Sequence, residues 1–291
     1  MSIRRIIKEF YEEKQLREGF DLEGNPDLKY YAFDWDDNIV TMPTQIILLS
    51  DNDEEVGMST EDFADYRGLI GVEPFEYKGK NIVNYADDPY RNFGVKGDSA
   101  FIIDSMMAKP GPSWNDFVEA INGGSIFSII TARGHTPSVL REAIYNMIVT
   151  DHNGISKESL INNLKKYRNM SGDDEKDASI MINDYLDLNK YHPVTYGEGS
   201  AANPEVGKIK ALSEFISYVK EMSERLGKKA FFKNDVKNNF VPELDKEVKP
   251  QIGFSDDDPK NVDTIKAYLD KEYKDNPVKT YLTKGGDKKL V

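Results

Sequence analysis

Two aspartates one residue apart, Asp34 and Asp36, close a short apolar run at residues 30–33. A strand that ends in Asp-x-Asp presents both carboxylates from one rigid edge, near enough to share a divalent cation and separate enough for different work. Three more apolar runs end in residues suited to the same chemistry. The run 125–130 ends at Thr131, followed by Ala132, Arg133 and Gly134; the run 191–196 opens into a loop and then a helical pattern carrying Lys208. The run 251–255 ends in Asp256 and Asp257, with Asp258, Pro259, Lys260 and Asn261 behind them. In an open α/β sheet, ligands bind outside the carboxyl ends of the strands, so these run ends would converge on one crevice. A solvated acidic turn is the alternative for Asp-x-Asp taken alone, because acidic residues favour turns.

The chemistry such residues suit is attack on a phosphomonoester. A carboxylate nucleophile splits the slow hydrolysis into two displacements. It is repelled by a dianionic phosphate, so a metal ion, a lysine and a hydroxyl must first spread the charge. A second carboxyl two residues on would protonate the leaving alkoxide and later take a proton from water. Neighbouring carboxylates push their proton affinities apart, which permits one acid and one anion in one pocket.

The order Asp-x-Asp, Thr, Lys, Asp-Asp at successive run ends resembles the haloacid dehalogenase-like (HAD) superfamily, over roughly residues 28–43, 110–150 and 192–283. The resemblance implies an α/β fold with a Rossmann-like parallel sheet, dependence on Mg²⁺ and a phospho-aspartyl intermediate. It makes Asp34 the nucleophile, Asp36 the general acid/base, Thr131 a ligand of the phosphoryl oxygens and Lys208 the neutralising cation. Asp34, Asp36, Asp256 and Asp257 would hold the metal. Lys210 competes with Lys208, which lies nearer the helix start, where an anion would bind. Arg133 and His135 sit at the mouth of this site as candidate substrate contacts; the alternatives are a structural salt bridge for Arg133 and an exposed helix-start position for His135. The chain departs from the family's usual pattern at Asp37 and Asn38, where Gly-Thr or a similar pair is common.

Composition bounds the rest. With 291 residues, of which 39% are apolar, the chain can bury the core of one large or two small domains. The reading divides it into a HAD-like core, 1–43 and 110–291, with a helical and polar insertion at about 150–191, and a cap insertion at 44–109. Caps in this family choose the substrate. The aromatics Phe63, Tyr66, Phe75, Tyr77, Tyr85, Tyr90 and Phe93 are expected to order this insertion and to contact the leaving group. Within the second insertion, 157–167 reads as a helix and 171–177 as a solvated loop. With no cysteine there are no disulfides or thiolate metal sites, and three scattered histidines do not make a zinc centre. A net charge of −13 argues against a general nucleic-acid surface, leaving a small phosphorylated substrate or a nucleic-acid phosphate end as the expected partner. No apolar stretch approaches a membrane span, and the amphipathic start at residues 3–11 reads as a surface helix and not as a secretion signal. The expected location is the cytoplasm, that of a host if the chain is phage-encoded.

Two rival readings remain. A metal-dependent nucleotide-sugar transferase would use Asp-x-Asp for manganese and a diphosphate, yet it leaves Thr131, Lys208, Asp256 and Asp257 without a role. A catalytically idle HAD-fold structural or assembly protein is the other; the segment from Phe33 to Asn38 resembles ones found in tailed phages, and Asp37-Asn38 keeps this rival open. An EF-hand fails because Ile39 and Gln45 stand where Gly and Glu are needed. A P-loop fails at Ala202 and Ile209.

Overall fold

The structure is a computed structural model that describes residues 28–165, 172–197, 203–227, 250–273, 278–284 and 287–291. The expected surface helix at 3–11 lies outside these residues, as do Ser171 of the polar tract and the last two positions of the helix read at 157–167. The first half of the chain forms β1 (Leu28–Phe33), β2 (Val40–Thr41), β3 (Ile46–Ser50), β4 (Glu55–Met58), α1 (Thr60–Tyr66), β5 (Phe75–Tyr77), β6 (Lys80–Tyr85), α2 (Asp98–Met107), β7 (Lys109–Pro110), α3 (Trp114–Gly123), β8 (Phe127–Thr131) and α4 (Pro137–Val149). Then come α5 (Lys157–Lys165), α6 (Glu175–Leu188), β9 (Lys190–Pro193), α7 (Pro204–Gly227), β10 (Pro250–Asp256), α8 (Pro259–Glu272), β11 (Val278–Leu282) and β12 (Lys289–Leu290).

Every residue of β8 is buried, the pattern of a parallel strand covered on both faces. The main sheet has the order β12-β11-β10-β1-β8-β9, parallel throughout except for β12 at its edge. Alternation along β1 sends Phe33 into one apolar cluster and Tyr30 and Ala32 into another. Phe117, Leu140, Leu160 and Tyr185, one from each of α3 to α6, fill the first; Phe215 of α7 and Ile265 of α8 fill the second. Because β10, β1 and β8 are adjacent and parallel, their carboxyl ends open onto one edge, and α7 brings its first turns there.

Helix starts follow local capping chemistry. Pro259 and Pro137 open α8 and α4 at a position where a missing N–H costs nothing, and the Asp258 side chain accepts a hydrogen bond from the Lys260 amide. The tract read as a solvated loop contributes instead to a helix start: Asp174 accepts from the Asp177 amide, and Glu175 and Asp177 fill the first turn of α6, where the helix dipole favours carboxylates.

Between β2 and α2 the chain builds an antiparallel sheet, β4-β3-β6-β5, with its own cluster of Ile46, Leu48, Met58, Ile70, Tyr77 and Ile82. Helix α2 falls within the span 44–109 yet packs on α4, with Phe101 in the first cluster of the main sheet.

Candidate active site

The chain leaves β1 at Phe33 and turns sharply through Trp35 and Asp37. The Ile39 and Val40 amides both donate to the Trp35 carbonyl, the Asp37 amide donates to the Val40 carbonyl, and Asp37 adopts a left-handed φ of 51°. Asn38 then acts as a buried hub. Its Nδ2 donates to the Asp34 carbonyl at 3.0 Å, the Ser255 carbonyl at 3.2 Å and Ser255 Oγ at 2.9 Å. Its Oδ1 accepts from Ser113 Oγ and Thr283 Oγ1, each at 2.8 Å. One amide thus ties the ends of β1, β10 and β11 to the start of α3. This cross-link fixes the Asp34 backbone.

Asp34, Asp256 and Asp257 each bring a carboxylate oxygen to one place, all within 4.8 Å of one another. Lys208 of α7 is buried among them, with Nζ 2.6 Å from Asp256 Oδ2 and 3.1 Å from Asp34 Oδ1. Asp256 is satisfied further through Oδ1, which accepts from the Asp258 amide and from Asn261 Nδ2, both at 3.0 Å. Asp34 Oδ1 lies within ion-pair range of Lys208, yet it accepts no aligned hydrogen bond although it is buried. Lys210, the competing lysine, is exposed.

Three carboxylates face one ammonium here. Burial pushes the Asp34 carboxyl up to about 8, with Lys208 opposing and Asp256 and Asp36 adding to the rise. Burial, Asp256 and Asp34 raise Asp257 well above the usual carboxylate range. Burial alone would disfavour the Lys208 ammonium, but Asp256 and Asp34 outweigh it and hold its pKa above the ordinary lysine value. Asp37 is pushed up to about 6 by burial, against a hydrogen bond from Thr60, and its Oδ2 has no partner.

Asp36 points elsewhere. Both its oxygens are held by Arg133, with Nε to Oδ2 at 2.8 Å and Nη2 to Oδ1 at 2.7 Å. The guanidinium is 1% exposed and lies over two rings, 4.7 Å from the centroid of Phe93 and 5.2 Å from that of Phe101. Of the two roles considered for Arg133, the structure displays the salt bridge. The expectation of an exposed His135 fails: the ring is completely buried, packs on Phe101 and bridges Asp98 and Arg133 at 2.8 and 3.2 Å. Arg133 Nη1 can only donate, so Nε2 of a neutral His135 accepts and Nδ1–H donates to Asp98. Burial lowers the His135 pKa in keeping with that neutral form. Thr131 is buried at the end of β8, and its Oγ1 accepts from the Arg133 amide at 3.3 Å.

A cavity of about 260 Å³ opens beside Asp37 and Asp257, walled by Thr41, Glu61, Ala64, Pro110, Gly111, Pro112, Thr283 and Lys284. Helix α1 therefore stands at the mouth of the acidic cluster, joined to the main sheet by Arg67–Asp258 at 2.9 Å and Lys284–Asp65 at 2.7 Å. The expected aromatic contact with a leaving group is not what this wall offers. Phe63, Tyr66, Phe75 and Tyr85 pack on the insertion's own cluster, while Glu61 and Ala64 face the cavity.

Fold and site together define a mixed α/β protein with an acidic, lysine-bearing cluster at the carboxyl ends of parallel strands. No family model, curated protein or solved structure matches the chain. Among the described residues no helix is long and apolar enough to cross a membrane.

Proposed function

We propose that this chain is a Mg²⁺-dependent phosphomonoester hydrolase of HAD-like type, with the 44–109 insertion as its cap and Asp34 as the residue that takes up the phosphoryl group. The observation that carries this reading is the meeting of Asp34, Asp256 and Asp257 around buried Lys208. A divalent cation fits the donor set: the ligands are hard carboxylate oxygens, they outnumber the local cation, and buried Asp34 Oδ1 has only the poorly aligned Lys208 ammonium at 3.1 Å to offset its charge. Asp34, Asp256 and Asp257 would hold it, and when bound it would supply charge neutralisation at the phosphoryl oxygens.

The chain's own residues then divide the work. Asp34 is fixed through its backbone, its amide donating to the Ser255 carbonyl at 2.9 Å and its carbonyl accepting from Asn38, so its carboxylate is aimed at little conformational cost. Attack by one Asp34 oxygen on phosphorus forms the aspartyl phosphate and breaks the bond to the leaving oxygen. Lys208 keeps its charge and offsets that of the phosphoryl group. Asp36, two residues on, would accept a proton from the water attacking the aspartyl phosphate and give one to the leaving oxygen.

The test is phosphate release from a small aryl phosphate with and without Mg²⁺, in wild type and Asp34→Asn. Metal-dependent release lost in Asp34→Asn supports the reading. The Arg133–Asp36 pair favours one second reading, an idle HAD-fold assembly protein with Asp36 locked away. An absence of release from any phosphomonoester would select it.

A further inference from the structure

A cavity of about 260 Å³ lies beside the acidic cluster. Its volume lies below the usual range for drug-sized ligands, about 300–1,000 Å³, so it holds a small group. Two features of its wall give that group a chemistry. Asp37 is 9% exposed and lines the cavity, and its Oδ2 has no hydrogen-bond partner, an arrangement that is costly unless a ligand donor completes it. Glu61 of α1 adds a second carboxylate to the lining, close enough to act electrostatically on Asp37. Lys284, the cation of this wall among the described residues, is engaged, its Nζ 2.7 Å from Asp65. A second phosphate would thus meet carboxylates with no unengaged cation among the described residues that line the cavity.

Resting on the phosphatase reading, we infer that the leaving group this site takes is small and carries a protonated amine, which Asp37 and Glu61 receive while the phosphoryl group lies at Asp34 and Lys208. An ammonium offers the donor that Asp37 Oδ2 lacks and the charge that both carboxylates call for. Nucleoside diphosphates and polynucleotide ends are disfavoured by the same wall. Asp37 thereby gains a role specific to this chain at a position where Gly is common in the resembling family.

Calorimetry on Asp34→Asn protein, which cannot form the aspartyl phosphate, separates binding from turnover. Short ω-aminoalkyl phosphates are compared with alkyl phosphates of the same chain length, in the presence of Mg²⁺. The expected result is about tenfold tighter binding of the amines, a ratio that corresponds to about 1.4 kcal/mol, falling towards unity when Glu61→Gln or Asp37→Asn is added. Glu61 is exposed, so its variant tests the idea even if Asp37→Asn folds poorly. Equal affinities for the paired ligands, or tighter binding of a nucleoside diphosphate, overturn the inference. Hydrolysis of aryl phosphate by wild type without an amine preference removes the inference alone. An amine preference in a protein that hydrolyses nothing retains the pocket and removes the phosphatase reading.

Discussion

Replacing Arg133 by Met keeps most of the side-chain volume and deletes the charge that both Asp36 oxygens accept from. The pair is buried on the arginine side, and the Asp36 side chain is only 15% exposed. Breaking such a pair by removing one partner costs about 3–5 kcal/mol, since the survivor is left without compensation. Loss of the guanidinium from between Phe93 and Phe101 adds to that. Taking about 4 kcal/mol, and the roughly 2–4 °C per kcal/mol of 150–250-residue proteins as an upper value for a chain of 291 residues, the melting temperature should fall by up to roughly 8–16 °C. Arg133→Lys retains the charge and loses the planar fork, so it should fall between wild type and Arg133→Met. Adding Asp36→Asn to Arg133→Met removes the stranded charge, and the double-mutant cycle should show a coupling of about 2 kcal/mol. Urea titration of the four proteins measures these quantities. Strict additivity, or an Arg133→Met protein within 1 kcal/mol or so of wild type, would refute the view that this pair is a buried structural clamp.

Gly111 sits against the Asn38 hub, where an added Cβ would lie 2.5 Å from the Asn38 carbonyl oxygen, so Gly111→Ala must shift backbone and should cost about 1–3 kcal/mol in urea unfolding. A cost within error of zero would mean that this turn yields freely. Mg²⁺ at about a hundred times its dissociation constant should add about 2.7 kcal/mol of stability, read as a rise in melting temperature that Asp257→Asn abolishes; a chelator without effect on wild type would count against the cation site. The folded chain holds His135 neutral below its ordinary pKa, whereas the unfolded chain binds a proton near pH 6.5, so the His135 contribution to stability declines as pH falls from about 7.5 to 5.5, against the gain that the raised Asp34 and Asp37 carboxyls contribute over the same window. Denaturant titrations at the two pH values should show His135→Gln losing less, or gaining more, stability on acidification than wild type, and an unchanged difference between the two pH values would contradict the buried neutral imidazole.

The strand ends were legible in the sequence because parallel strands buried on both faces read as apolar runs, and their ends are marked by Asp34, Thr131 and Asp256. Lys208 was legible through its place near the start of a helical pattern. What the sequence hides is pairing across distance. Asp36 meets Arg133 from 97 positions away, and Asn38 gathers Ser113, Ser255 and Thr283 from three separate elements. Nothing in local spacing marks such partners. His135 looked like an exposed residue before a helix, but α2 packs on α4 and closes over it, placing Asp98 and Phe101 around the ring. The insertion's aromatics misled for a related reason: a small sheet needs a core of its own, and Phe63, Tyr66 and Phe75 are used there, which leaves Glu61 to face the cavity.

The central claim is that Asp34 accepts the phosphoryl group, and its most direct test is the mass of the protein itself. Asp36→Asn protein, in which the proton-dependent release step is slowed, is mixed with Mg²⁺ and a small aryl phosphate and quenched in acid within the first turnover. The account predicts a gain of one phosphoryl mass, mapped to the peptide that contains Asp34 and absent when Asp34 is also changed to Asn. Phosphate release from wild type with no phosphorylated Asp34 at any quench time would contradict it.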